Sequence, residues 1–444
     1  MNKAFLENQG TTLRFGLIGV IVLAMLIPLA MVEGVTDERQ AFFDATFRDI
    51  ANAWGNAQSV SGPFLVIPEV HRYQAKNEAE QWVWHERRRD RVWLPTVLNL
   101  NVEIVHQFRK RAIYEVPVYS AKIQFQGAFA ALDPELLNRA NVQVLLDEAR
   151  IVVGISHTQA ISSASAVTVG EAAATFRSGT GQAWIGSGVH APLPALSTIE
   201  ATEFHFELQL KGTRQLGFTP VGGTTEVAMS STWPHPSFNG TYLPERYAVT
   251  DDGFTAEWVV HELARDLPSS WQAGEQDVQL SNSFAFISLF QPVTNYTILD
   301  RAIKYGLLFI ALTFLSFVCF ELRSNLRFHP VQYGVVGAGL VLFYLALLSL
   351  SEHIDFGLAY FIATTVLATL LGWYVWAMTS LRRLCAWMAV IVAALYATLY
   401  VLLQLETFAL LVGTGVLFVG LIALMATTRS LTTKATVGAA SAAI

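Results

Sequence analysis

The chain is poor in cysteine and poor in charge, and each scarcity narrows what it can be. Cysteine occurs twice in 444 residues, at Cys319 and Cys385, both in the apolar C-terminal part. No disulfide can staple the residues before Cys319, and no catalytic thiol can sit there. Each cysteine reads as a small apolar filler. Charged residues make up 14% against 53% hydrophobic, which points to an integral membrane protein long enough to carry a sizeable water-soluble core as well. Also missing are G-x-S-x-G, H-E-x-x-H, a Walker loop, C-x-x-C and G-x-G-x-x-G. The usual hydrolase, metalloprotease, ATPase and dehydrogenase mechanics therefore have no seat, and no enzymatic activity, cofactor or metal is expected.

What is present is organised around five apolar runs, residues 303–322, 331–350, 356–378, 384–403 and 408–426. Each has about the 20 residues a helix needs to cross a hydrocarbon core. Helices are required because a spanning backbone must satisfy its own N–H and C=O groups. The breaks at Arg323 and Arg327 and at Arg382 and Arg383, and the tail with Arg429 and Lys434, are basic; the alternate breaks 351–355 and 404–406 hold no Lys or Arg. The positive-inside rule makes the basic breaks cytoplasmic. A sixth run, residues 15–32, follows a short start with Lys3 and Arg14 and lacks a small-x-small cleavage pattern. It reads as an uncleaved anchor, which Pro28 would kink or end early.

Residues 33–304 hold 21 Lys and Arg against 30 Asp and Glu, whereas the remainder is net basic. So acidic an exported part argues against nucleic acid, whose phosphates need a basic stripe. The run Glu86-Arg87-Arg88-Arg89-Asp90-Arg91 is a local exception, read as a solvated strand end or hairpin, with anionic lipid or glycan contact as the alternative. Residues 33–54 place Phe42, Phe43, Phe47 and Ile50 at helical spacing and predict a stalk. From Ser61 the texture turns to strands: residues 97–105, 122–126 and 204–211 alternate apolar with polar, the pattern of antiparallel sheets with one wet face. Residues 160–181, rich in Ala, Ser, Thr and Gly, read as strands of small residues around a loop.

The expected fold is an α+β membrane protein with six transmembrane helices, one N-terminal anchor plus a C-terminal five-helix block, and a large antiparallel, β-rich, sandwich-like extracytoplasmic domain between them. In residue numbers these are a cytoplasmic N-terminus 1–14, an anchor 15–32, a helical stalk 33–60, the β domain 61–299, the helix block 300–426 and a cytoplasmic tail 427–444. One large sandwich and two stacked sub-domains both fit the length.

The polar residues at the membrane ends carry the functional signal. On the outer side Asp300, Arg301 and Lys304 begin the second span, Glu352 and His353 end the third, and Glu406 opens the sixth. Ion pairs tying helix ends together are the simplest reading. The other is a proton- or ligand-responsive cluster of Glu352, His353 and Glu406, because a histidine beside carboxylates changes charge near neutral pH. On the inner side Glu321 lies in a last helical turn near Arg323, Arg327 and His329, where a salt bridge across the hairpin is expected. His190 and His235 sit in proline-rich turns, where a ring nitrogen most simply meets a backbone carbonyl, with metal ligation as the alternative. Gly334, Gly337 and Gly339, with Gly413, Gly415 and Gly420, offer smooth faces for helix packing.

Several runs together resemble the CreD-type inner-membrane proteins of Gram-negative bacteria. They are Gly188-Val189-His190-Ala191-Pro192-Leu193-Pro194, Thr232-Trp233-Pro234-His235-Pro236-Ser237-Phe238, Leu299-Asp300-Arg301-Ala302-Ile303-Lys304-Tyr305, residues 309–321, His329-Pro330-Val331-Gln332-Tyr333, Leu350-Ser351-Glu352-His353 and Gln404-Leu405-Glu406. The resemblance implies an anchor, a periplasmic β-rich domain, a five-helix block and a role in cell-envelope integrity, with links to a two-component response and to colicin or β-lactam sensitivity. It supplies no catalytic residues. The Ala- and Thr-rich tail after Arg429 departs from the family's aromatic-containing end. The partners expected are the lipid bilayer and an unknown envelope protein or glycan, with a transporter, an intramembrane enzyme or a receptor for a secreted polypeptide as rival readings.

Overall fold

The computed structural model describes residues 16–78, 80–132, 135, 139–170, 172–193, 201–274, 278–289, 295–324, 328–380, 382–405 and 408–428. The chain divides into two compact units, Met1–Phe43 with Val293–Ile444, and Asp44–Pro292.

The second unit holds two sheets around one hydrophobic core. The ten-stranded sheet runs β10 (Arg177–Ser178), β11 (Gly188–Pro192), β6 (Arg150–Ile155), β1 (Gln58–Lys76), β13 (Gln215–Thr219), β19 (Ala285–Leu289), β15 (Pro236–Gly240). Off this path, β2 (Trp82–Trp93) and β5 (Val142–Val144) pair with β1, and β18 (Ser270–Gln272) pairs with β2. The nine-stranded sheet runs β16 (Arg246–Thr250), β17 (Gly253–His261), β14 (Thr224–Ser231), β3 (Val97–Arg111), β4 (Tyr114–Phe129), β12 (Thr202–Gly212), β8 (Val167–Val169), β9 (Ala172–Ala174), with β7 (Ile161–Ala164) beside β12. The small-residue stretch thus becomes the short strands β7 to β10.

Alternation sets which way each strand faces. Leu98, Leu100, Val102 and Ile104 of β3 are buried while Asn99, Asn101 and Glu103 are exposed. Phe204, Phe206, Leu208 and Leu210 of β12 do the same, and Phe206 stacks on its register partner Phe125 with ring centroids 4.4 Å apart. A cross-strand aromatic pair of this kind contributes about 0.5–1.5 kcal/mol beyond its burial. The unbroken apolar run Phe64-Leu65-Val66-Ile67 of β1 is buried on both faces, as a central strand requires.

The antiparallel expectation needs one correction: β1 pairs with β13, and β3 with β14, in parallel. Ser61 and Thr219 share a hydrogen bond of 2.8 Å across 158 residues of chain. Alternation reports the buried face of a strand but not its neighbour, so long-range parallel joins leave no local mark.

The first helix, α1 (Gly16–Trp54), covers 39 residues. Pro28 lacks the N–H that would bond the Ala24 carbonyl, and the helix is interrupted at Met25 alone before running on. Its last turns lie in the β unit, where Phe47 and Ala51 pack on Val116 and Val118 of β4. Trp54 Nε1 donates to the Tyr119 carbonyl at 3.1 Å, and Arg109 and Lys211 lie 4.2 and 4.7 Å from its ring.

The first unit adds α2 (Asn295–Ser324), α3 (Pro330–Ser351), α4 (Phe356–Thr379), α5 (Arg382–Gln404) and α6 (Ala409–Thr428). With α1 these give six helices long and apolar enough to cross a membrane. On α5, Met388, Val392, Tyr396 and Leu399 form a fully buried stripe at 4, 4 and 3 spacing. The apolar window of α6 has no buried residue, the surface a lipid-facing helix presents. Of the packing glycines, Gly337 brings α3 against Met25 of α1 and Gly420 brings α6 against Leu312 of α2. Gly334 and Gly415 have open space beside them.

Candidate functional site

The polar residues of the helical unit gather where α2 begins and α3 ends. A helix C-terminus leaves carbonyls without intrahelical partners, and its dipole disfavours an anion. Glu352 is the C-cap of α3, so its carboxylate needs outside help. Tyr296 at the start of α2 donates its hydroxyl to Glu352 Oε1 at 3.3 Å, and Arg39 Nε of α1 stands 3.7 Å from the same oxygen. Beside them Asn295 Nδ2 donates to the Ser351 carbonyl at 2.9 Å, capping α3 from a neighbouring helix. The Glu352 side chain is 11% exposed and that of Arg39 47%, so the guanidinium reaches a sheltered carboxylate from the wet side.

The other outer residues fall as follows. Lys304 pairs with Asp300 one turn back at 2.7 Å. Arg301 is half-buried on α2, and His353 is exposed with its backbone N–H on the Leu350 carbonyl. Glu406 lies outside the described residues, so the predicted triad with Glu352 and His353 is not on view. The residues that do hold Glu352, Arg39 and Tyr296, were passed over in the sequence: one sits in the stalk and the other carries no charge.

At the other end of α2 and α3, Glu321 is buried and its Oε2 accepts from Tyr333 at 2.9 Å. Arg327 and the side chain of Arg323 lie outside the described residues. His329 is the N-cap of α3: its Nδ1 accepts from the Val331 N–H at 3.3 Å, its own N–H donates to Gln332 Oε1 at 2.7 Å, and Pro330 follows at the first helical position.

In the β unit, His190 Nδ1 meets the Gly179 carbonyl at 2.5 Å, the contact expected of it. At His235 the roles reverse, its backbone carbonyl accepting from Trp233 Nε1 at 2.9 Å. No group of three or more metal-ligating side chains occurs among the described residues. The most enclosed ionic cluster among the described residues brings together groups far apart in sequence. Glu69 of β1, with a side chain 2% exposed, is held at one oxygen by Arg91 Nε at 2.7 Å and Arg139 Nη2 at 2.5 Å, and His71 Nε2 lies 3.0 Å from its other oxygen. Gln272 of β18 links His71 to Arg89. A lone carboxylate directly after the apolar run 64–68 was the available signal. The basic run of β2 is matched rather than bare: Glu86 pairs with Arg72, Arg88 with Glu148, and Asp90 with Arg150.

Six apolar helices flanking a large two-sheet insert define a multi-pass membrane protein with one large β domain. Residues 10–433 match the family described as inner membrane protein CreD. The chain is 34% identical over 414 residues to the inner membrane protein CreD of Escherichia coli K12, covering 92% of this chain and 91% of that one. It belongs to the CreD family. A solved structure of a candidate protease from Parabacteroides distasonis aligns with 50% of this chain and 46% of its own at 10% identity, with a TM-score of 0.24, too low to bear on fold or activity.

Proposed function

We propose that this chain supports cell-envelope integrity by binding, with the β domain in the periplasm as its interaction surface and both termini in the cytoplasm. The orientation rests on the basic breaks at Arg323 and Arg327 and at Arg382 and Arg383. The observation that carries the reading is the occupation of the membrane-edge groups. Glu352 is fastened to Arg39 and Tyr296, Lys304 to Asp300, Glu321 to Tyr333, and His329 caps a helix. Groups engaged in holding helix ends together are poorly placed to turn over a substrate.

Crosslinking mass spectrometry on intact envelopes tests the binding role: crosslinks from the β domain to an envelope component support it, and their absence counts against it. Glu352→Gln separates fastening from chemistry. A fastening predicts a lower folded yield with normal function per folded molecule; normal yield with function abolished would make Glu352 a working group. A transporter is the second reading, supported by the hydroxyls of Tyr344, Tyr396 and Thr364 buried among the helices. It requires solute movement in proteoliposomes.

A further inference from the structure

The β1–β2 ribbon carries a surface that the packing of the domain does not explain. From Tyr73 to Lys76 and from Trp82 to His85 the two strands pair only with each other among the described residues. Register puts Lys76 opposite Trp82, Gln74 opposite Trp84 and Arg72 opposite Glu86. Because side chains alternate, these six residues share one face. Trp82 and Trp84 are 65% and 59% exposed, a large apolar area left in water on so narrow a ribbon.

The charges of this face are already matched. Arg72 pairs with Glu86 at 2.8 Å; Lys76 lies 3.8 Å from Glu80 and 6.0 Å from the centre of the Trp82 ring. A polyanion or an anionic lipid surface needs unmatched cations. What remains is two flat indoles about 7 Å apart along the strand, with the Gln74 amide beside them. Indole faces take the C–H face of a pyranose ring, and an amide both donates to and accepts from ring hydroxyls.

We propose that Trp82 and Trp84 form the platform on which the β domain binds an uncharged polysaccharide chain. This rests on the binding role proposed above and names its partner class. The test uses the full-length protein in nanodiscs, titrated calorimetrically with a β-1,4-linked N-acetylglucosamine hexasaccharide and a β-1,4-linked glucose hexasaccharide, with empty nanodiscs as control. The wild type is expected to bind at least one of them. W82A/W84A is expected to weaken that binding about tenfold or more at an unchanged unfolding midpoint, while W82F/W84F keeps most of it. No binding of either sugar by the wild type, or binding that W82A/W84A leaves intact, overturns the proposal. So does a loss in W82A/W84A that is confined to anionic phosphatidylglycerol vesicles. Envelope crosslinks that persist in W82A/W84A while the wild type binds neither sugar would remove the ribbon's role and leave the binding role standing.

Discussion

Removing the Glu69 carboxylate should unsettle the β domain more than any other single polar change there. Glu69 is 2% exposed and faces Arg91 and Arg139, whose side chains are 16% and 28% exposed. Glu69→Ala leaves two partly buried guanidinium groups without their counter-charge, at a cost of about 3–5 kcal/mol. Glu69→Gln keeps the shape and one acceptor but turns charge-assisted hydrogen bonds into neutral ones, costing about 1.5–3 kcal/mol. For a unit of this size each kcal/mol lowers the unfolding midpoint by about 2–4 °C, so Glu69→Gln is expected to fall by about 3–12 °C. The assay is thermal unfolding of the full-length protein in detergent, followed by near-ultraviolet circular dichroism of the β-domain tryptophans. Arg91→Gln alone should also destabilise, and the double variant should lose less than the two singles together, because the second change removes a charge already stranded by the first. Midpoints of Glu69→Ala and Glu69→Gln both within about 1 °C of wild type would refute the reasoning.

The Tyr119 hydroxyl is fully buried and donates to the Gln215 carbonyl at 2.6 Å, and burial raises its pKa far above the usual tyrosine range. A group with a raised folded pKa keeps its contribution below the unfolded value, 10.0 here, and loses it as pH rises. The β domain should therefore weaken above that pH by up to about 1.4 kcal/mol per pH unit more than Tyr119→Phe does; equal slopes in alkaline urea titrations would contradict this. Gly212→Ala drives a methyl group into the ring and hydroxyl of Tyr119, and should cost about 1–3 kcal/mol, read as a lower urea midpoint at an unchanged slope.

The spans were legible because crossing lipid imposes a length and a polarity that few other constraints imitate. Strand faces were legible at residues 97–105 and 204–211 for the same reason, since a half-buried strand must alternate. The partners were not. Glu69 and Arg139 are 70 residues apart, and Arg39 and Glu352 are separated by most of the chain; side chains brought together by folding leave no spacing to read. The Lys304–Asp300 pair could be anticipated because it needs only one helical turn. At Glu352 the sequence offered opposite charges on the same leaflet, whereas the fold supplies a phenol and a residue of the stalk.

The two parallel joins also govern when the β domain can close. Strand β1 is among the first to be synthesised, yet it lies beside β13, which in turn needs β19, ending at Leu289 just before α2. Loop-closure entropy must be met before such distant contacts reward it. Nascent chains are therefore expected to hold an open sheet with bare hydrogen-bonding edges until nearly the whole insert has emerged, an interval in which chaperone capture competes with mispairing.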